Sequence, residues 1–237
     1  MEKTEQEIIN LLNGDIESGN LSKLYDQEYI NYSGNPSDNK NILYSDIIAK
    51  QLIERLFLFN NGHIEKIERK NYGNGLYIQE DHKRIGNEAK NLPYNTEPQF
   101  AKYIYNSELQ YLGKIIDFEI PIGDRSLGAV DLLAYNGEIL SLVELKGNNS
   151  DETMLRAILE ICTYDCQINK IQLEKELKEN NMCQNIKRIK KAILISETSP
   201  LYKHYKETKL VSNLAQKLEI DIFTYTDSAG KVIVKKI

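Results

Sequence analysis

The chain has 237 residues, a formal net charge of −5 and an apolar fraction of 41%. That is enough to bury one generous core, and too acidic for a histone-like coat on nucleic acid. No apolar run approaches the length of a membrane span and the opening MEKTEQEIINLL is too acidic and too interrupted for a signal peptide, so a cytoplasmic protein with no membrane partner is expected.

Residues 2–13 and 40–58 carry apolar side chains at helical spacing, the second stretch through Ile42, Ile47, Ile48, Leu52, Leu56 and Leu58. Between them YSGNPSDN is a loop. Residues 63–69 and 76–79 suggest a small hairpin turning at Asn74-Gly75. The polar, aperiodic stretch 80–95 marks the expected boundary between an N-terminal, mainly helical extension (1–95) and a second domain (96–237). That domain opens on a helix with Thr96 as N-cap, Gln99 completing a capping box and Pro98 in the first turn; Phe100, Ile104, Glu108 and Tyr111 share one face. Strands follow at 115–122, 127–135 and 138–146, then a long helix from about residue 151 with Ser150 as N-cap. A strand at 192–196, a helix at 201–218 and strands at 220–225 and 231–234 complete an α/β pattern. Cys162, Cys166 and Cys183 lack zinc-ligand spacing and read as buried free thiols, and His63, His82 and His204 are scattered without local partners.

The run VDLLAYNGEILSLVELKG carries the most chemistry. Asn136-Gly137 predicts a two-residue hairpin turn that pairs Tyr135 with Glu138, Leu133 with Leu140 and Asp131 with Leu142. Asp131, Leu142, Glu144 and Lys146 then project from one side of the sheet, with Asp131 and Glu144 as diagonal neighbours whose β-carbons are roughly 7 Å apart. The surrounding residues are apolar on both faces, as in strands buried between helices. Two carboxylates and an ammonium desolvated there cost several kcal/mol per ion unless they are paired or hold a metal.

Asp131 followed by Glu144-x-Lys146 after a short hairpin resembles the active-site signature of the PD-(D/E)xK nuclease superfamily, which includes restriction endonucleases, resolvases and RecB-like exonucleases; Val130 stands where a proline often precedes the aspartate. AILEICTYDCQI sets Glu160 and Tyr164 four residues apart on one helical face, where RecB-like members carry Gln-x-x-x-Tyr; the tyrosine matches and a glutamate replaces the glutamine. The resemblance covers roughly residues 97–237. It implies a restriction endonuclease-like core, a central mixed β-sheet flanked by helices. It also implies a magnesium-dependent nuclease, with manganese as a substitute, that hydrolyses phosphodiester bonds in DNA, RNA remaining open, in restriction, defence or repair. Asp131, Glu144 and the Leu145 carbonyl would bind the metal, and Lys146 would position a water and stabilise charge on phosphate oxygens. Glu160 and Tyr164 would stand beside them or touch the DNA backbone. Family members often add an upstream glutamate, for which Glu97, Glu108 and Glu119 compete. Glu97 is favoured by the match of EPQFAKYI to the family's first helix, and Glu119 by its chain proximity to Asp131 in an antiparallel pair. A homodimer is a further expectation, because double-strand cleavage is often done by two copies of a site.

Two other readings stay open on the sequence: a non-catalytic nucleic-acid-binding or assembly module on the same fold, and an unrelated hydrolase using Asp131 and Glu144 as an acid–base pair. The boundary at 80–95 further predicts that limited proteolysis there releases a stable fragment near 96–237.

Overall fold

In the computed structural model the described residues are 2–59, 62–67, 76–79, 81–89, 93–123, 127–228 and 231–237. A seven-stranded sheet runs in chain order: β1 (Glu108–Leu109), β2 (Gly113–Pro121), β3 (Ala129–Tyr135), β4 (Ile139–Lys146), β5 (Arg188–Ser196), β6 (Ile220–Ser228) and β7 (Lys231–Lys236). The first four strands form an antiparallel meander, β4, β5 and β6 are parallel, and β7 returns antiparallel. The two parallel joins need crossovers, which are supplied by α5 (Met154–Gln167) with α6 (Lys170–Glu179), and by α7 (Pro200–Tyr205) with α8 (Val211–Lys217). The sheet curls until Tyr111, in the β1–β2 turn, stacks over Phe223 of β6 at 6.3 Å. The fold is thus mixed α/β, and among the described residues no helix is long and apolar enough to cross a membrane.

Strict alternation along the central strands divides the apolar side chains into two cores. Leu140, Leu142, Ile193, Ile195 and Ile222 face one side, under α5, α6 and α8; Val143, Leu145, Leu194, Phe223 and Tyr225 face the other, under α4 (Glu97–Tyr103). With both faces covered, any charge on β4 is removed from water.

The N-terminal residues belong to the first of these cores. Ile8 and Leu12 of α1 (Glu5–Glu17), which packs on α2 (Tyr44–Ile53), join Ile48 and Leu52 of α2 in the same cluster, and α2 in turn packs on α8. Buried polar groups fasten them there. The amides of Lys209 and Leu210 donate to the Asp46 carboxylate at 2.7–3.0 Å, so α2 caps α8, whose own N-cap Leu210 has no side-chain oxygen. The Thr153 hydroxyl donates to the Ile30 carbonyl at 2.8 Å, and the Glu176 carboxylate accepts from the amides of Tyr77 and Ile78.

Several elements differ from the sequence expectations. The aperiodic stretch 80–95 contains a helix, α3 (His82–Ala89), where His82 Nδ1 lies 2.8 Å from Asp117 Oδ1 and the His82 ring stacks on Phe118. The predicted 40–58 helix ends at Ile53 and continues as a 3-10 turn, Leu56–Phe59. Residues 76–79 form no strand, and Asn74-Gly75 lies outside the described residues. The helix begun at Thr96 stops at Tyr103, so Glu108 sits exposed on β1 rather than on a helix face. The Gln99 side chain accepts from the Asn95 amide, not from that of Thr96, so the capping box closes one residue early. The predicted 201–218 helix is broken into α7 and α8.

Candidate active site

The β3–β4 connection sets the geometry, and its turn is not the expected one. Asn136 and Ile139 face each other, with the Asn136 amide donating to the Ile139 carbonyl at 3.2 Å, so the loop residues are Gly137 and Glu138. Positive φ occurs at Gly137 alone (95°), whereas a type I′ turn on Asn136-Gly137 needs it at both. The register moves by two residues: Tyr135 pairs with Leu140 and Leu133 with Leu142. A shift of two keeps every side chain on its predicted face. Continuing the register sets Asp131 directly opposite Glu144 rather than diagonal to it.

Lys146 is the centre of the cluster. It is 4% exposed and its Nζ lies 2.9 Å from Glu144 Oε1, 2.7 Å from Glu152 Oε2 and 3.3 Å from Glu160 Oε2. Burial alone would push its proton off, but Glu144, Glu160, Glu152 and Asp131 outweigh that and hold the ammonium well above its usual pKa. Glu160 and Tyr164 are one turn apart on α5, and the tyrosine hydroxyl donates to Glu160 Oε1 at 3.0 Å. Despite burial, Lys146 draws the Glu160 pKa down. The Tyr164 ring meets Tyr25 edge-on at 5.9 Å, so the N-terminal segment walls one side of the site.

The two signature carboxylates behave differently from Glu160. Asp131 Oδ2 accepts from the Leu145 amide at 2.7 Å, and burial pushes its pKa up to about 7 against the opposing pull of Lys146. Glu144 is 3% exposed and is also raised, by burial first and then by the Asp131 charge. Its Oε2 is buried and accepts from no protein donor, with the Glu160 carboxylate as its acidic neighbour. Glu97 reaches over from α4, its Oε1 accepting from the Gly147 amide at 2.7 Å, and its pKa is raised by burial. The cluster stands at the carboxyl ends of the parallel strands, the usual position of ligand sites in α/β sheets.

Glu119 is not in this cluster. Its backbone takes a positive φ of 49°, breaking the alternation of β2, and its carboxylate pairs with Lys102 of α4 at 3.0 Å. Its proximity to Asp131 holds, since the β2–β3 register sets the two across from each other, but the positive φ turns its side chain to the α4 face. Conversely, from the sequence Glu152 is only a favourable charge at a helix N-terminus and Arg156 carries no role. Ser150 and Asp151 precede the helix without starting it; Thr153 is the N-cap, accepting from the Arg156 amide, so Glu152 lies just outside α5 and turns onto Lys146. Arg156 Nε lies 3.2 Å from Glu152 Oε1, a spacing of four that was visible in the sequence as a possible ion pair.

Five carboxylates, Asp131, Glu144, Glu97, Glu152 and Glu160, therefore face two cations, Lys146 and Arg156. Among the described residues no three acidic, histidine or cysteine side chains stand in a metal-holding group. What is present is a pair of opposed carboxylates with raised proton affinity, one of them with an unpartnered buried oxygen. That donor set suits magnesium, which takes one or two carboxylates and keeps its waters. Comparison of the chain with family models, with curated proteins and with solved structures returns no match.

Proposed function

We propose that this chain is a magnesium-dependent deoxyribonuclease built on a restriction endonuclease-like core. The observation that carries the reading is the unpartnered Glu144 Oε2 opposite Asp131, with Lys146 buried beside them. A polar atom left so costs about 1–3 kcal/mol, more for a charged group, which a bound cation would offset. Asp131, Glu144 and the Leu145 carbonyl are the groups that would hold the ion. When bound, it neutralises the scissile phosphate and lowers the pKa of a coordinated water.

The remaining residues have separable tasks. Lys146 stays protonated because Glu144, Glu160 and Glu152 surround it, so it serves as a fixed cation that orients the attacking water and stabilises charge building on the phosphate oxygens. Glu160, itself held by Tyr164, fixes the ammonium, and Glu97 fixes the turn after β4 through the Gly147 amide. These are the parts of a phosphodiesterase site. Purified protein incubated with supercoiled, linear and single-stranded DNA, and with RNA, under magnesium, manganese or chelator tests the reading. Metal-dependent, chelator-sensitive cleavage is expected; cleavage that persists in chelator, or binding without any cleavage, would sink it.

A further inference from the structure

Beside the carboxylate cluster a cleft of about 460 Å³ runs between the start of α4 and the turn that follows β4. Glu97 and Glu152, both members of the cluster, line it, so whatever fills it lies against the reacting centre. The only charges among its described lining residues are acidic: Glu97, Asp151 and Glu152. Phosphates bind where lysine and arginine displace counterions, and this cleft offers neither. A nucleic-acid backbone is repelled from it.

Its other walls suit a neutral, flat, hydrogen-bonding group. Tyr94 rests against Phe100 with ring centroids 4.6 Å apart, and Phe100 stacks on Tyr225 at 4.6 Å and 15°. Tyr94 is the partly exposed member of this aromatic wall, and its hydroxyl donates to Asp227, which fixes the ring. Asn148 and Asn149 also line the cleft. The Asn148 carboxamide oxygen is occupied by the hydroxyls of Ser196 and Thr198, which leaves its amide nitrogen to donate. Aromatic faces and amides are the means by which proteins hold unstacked bases.

Resting on the nuclease reading of the adjoining cluster, we propose that this cleft receives a nucleobase next to the scissile phosphate, and that the substrate is therefore single-stranded. A base within a duplex reaches such a cleft only by leaving its stack, at a cost of a few kcal/mol. A single strand avoids that cost.

The test has a cleavage arm and a binding arm. Initial rates are measured on one DNA oligonucleotide, single-stranded and annealed to its complement, under magnesium. Binding of the labelled single strand is measured by fluorescence anisotropy with calcium replacing magnesium, for wild type, Tyr94→Ala and Tyr94→Phe. The single strand should be cut at least about 10-fold faster, and Tyr94→Ala should weaken its binding by roughly 5- to 150-fold, the loss of one base–aromatic stack. Tyr94→Phe keeps the ring and drops only the Asp227 hydrogen bond, so it should bind as wild type does and separates stacking from folding. Equal or faster cutting of the duplex, or unchanged binding by Tyr94→Ala, overturns the proposal even where the protein is a nuclease. Tyr94-dependent binding of the single strand with no cleavage overturns the nuclease reading and leaves the base-binding cleft standing.

Discussion

Asp131 and Leu145 are tied across the β3–β4 pair by a 2.7 Å hydrogen bond from the leucine amide to the aspartate carboxylate. The bond joins the aspartate to the residue between Glu144 and Lys146, so the three signature side chains keep their relative positions as one unit. Asp131→Ala should thus do two things together: weaken magnesium binding and abolish cleavage. Calorimetry beside cleavage assays checks it, and unchanged magnesium affinity would mean that Asp131 is no ligand.

Lys146→Ala separates the ammonium from the metal. Cleavage should fall by at least roughly 100-fold, the scale for losing a positioned group that stabilises transition-state charge. Stability should also fall, by roughly 3–5 kcal/mol, because Glu144 and Glu160 lose their buried counter-ion. Added magnesium should recover part of it in a urea melt. A variant as stable and as active as wild type would place the lysine outside the mechanism.

Glu160→Gln asks whether the charge or only the oxygen matters. Glu160 takes the Tyr164 hydroxyl on Oε1 and the Lys146 ammonium on Oε2; a glutamine with its carbonyl toward Lys146 turns its amide to Tyr164, whose hydroxyl oxygen can accept. Thermal stability should change by less than about 1 kcal/mol, because the neighbouring carboxylates still neutralise the ammonium. Single-turnover cleavage should stay within roughly 10-fold of wild type. A collapse of activity with the fold intact would assign the carboxylate a direct part in the chemistry.

The raised carboxylates give the metal-free protein a definite pH dependence. Asp131 titrates near pH 7 when folded, against about 3.9 unfolded, so between those values the folded state binds the extra proton. Its contribution to stability is full below the lower value and is lost as pH rises through the upper one. Glu144 and Glu97 act in the same direction. Melting temperature without metal should therefore decline as pH rises from about 4 to 7, and the increment from added magnesium should grow across that window as the ion replaces the proton. Asp131→Asn should flatten both trends in scanning calorimetry.

Asp46→Ala leaves the amides that begin α8 without an acceptor and should cost roughly 1–3 kcal/mol in a urea melt. By the same packing, a fragment of residues 96–237 should fail to melt cooperatively, since it strips the core that Ile8, Leu12, Ile48 and Leu52 complete. A stable fragment after proteolysis near residues 80–95 would instead bear out the two-part division expected from composition.

The strands of the hairpin and the shared face of Asp131, Glu144 and Lys146 could be read from alternation alone, because a two-residue error in register preserves faces. The opposed placement of the carboxylates could not, since Asn136-Gly137 and Gly137-Glu138 are competing loop solutions and only hydrogen bonding selects between them. Glu160 and Tyr164 were visible as a one-turn pair. Glu152 was hidden because its role depends on the helix starting at Thr153 instead of Ser150, a choice made by the Thr153 bonds to Ile30 and Asn31 far back in the chain. Glu119 was misplaced because a positive φ within a strand has no signal in a glutamate.

The Asp46 cap on α8 also bears on how the protein is made. Asp46 and Lys209 are 163 positions apart, and at a synthesis rate of 5–20 residues per second the wait between them is roughly 8–30 s. Throughout that interval α1 and α2 can pack on each other but lack the helix that α2 caps, while the hairpin bearing Asp131, Glu144 and Lys146 emerges midway. The cap on α8 can therefore form only once nearly all of the chain has been made.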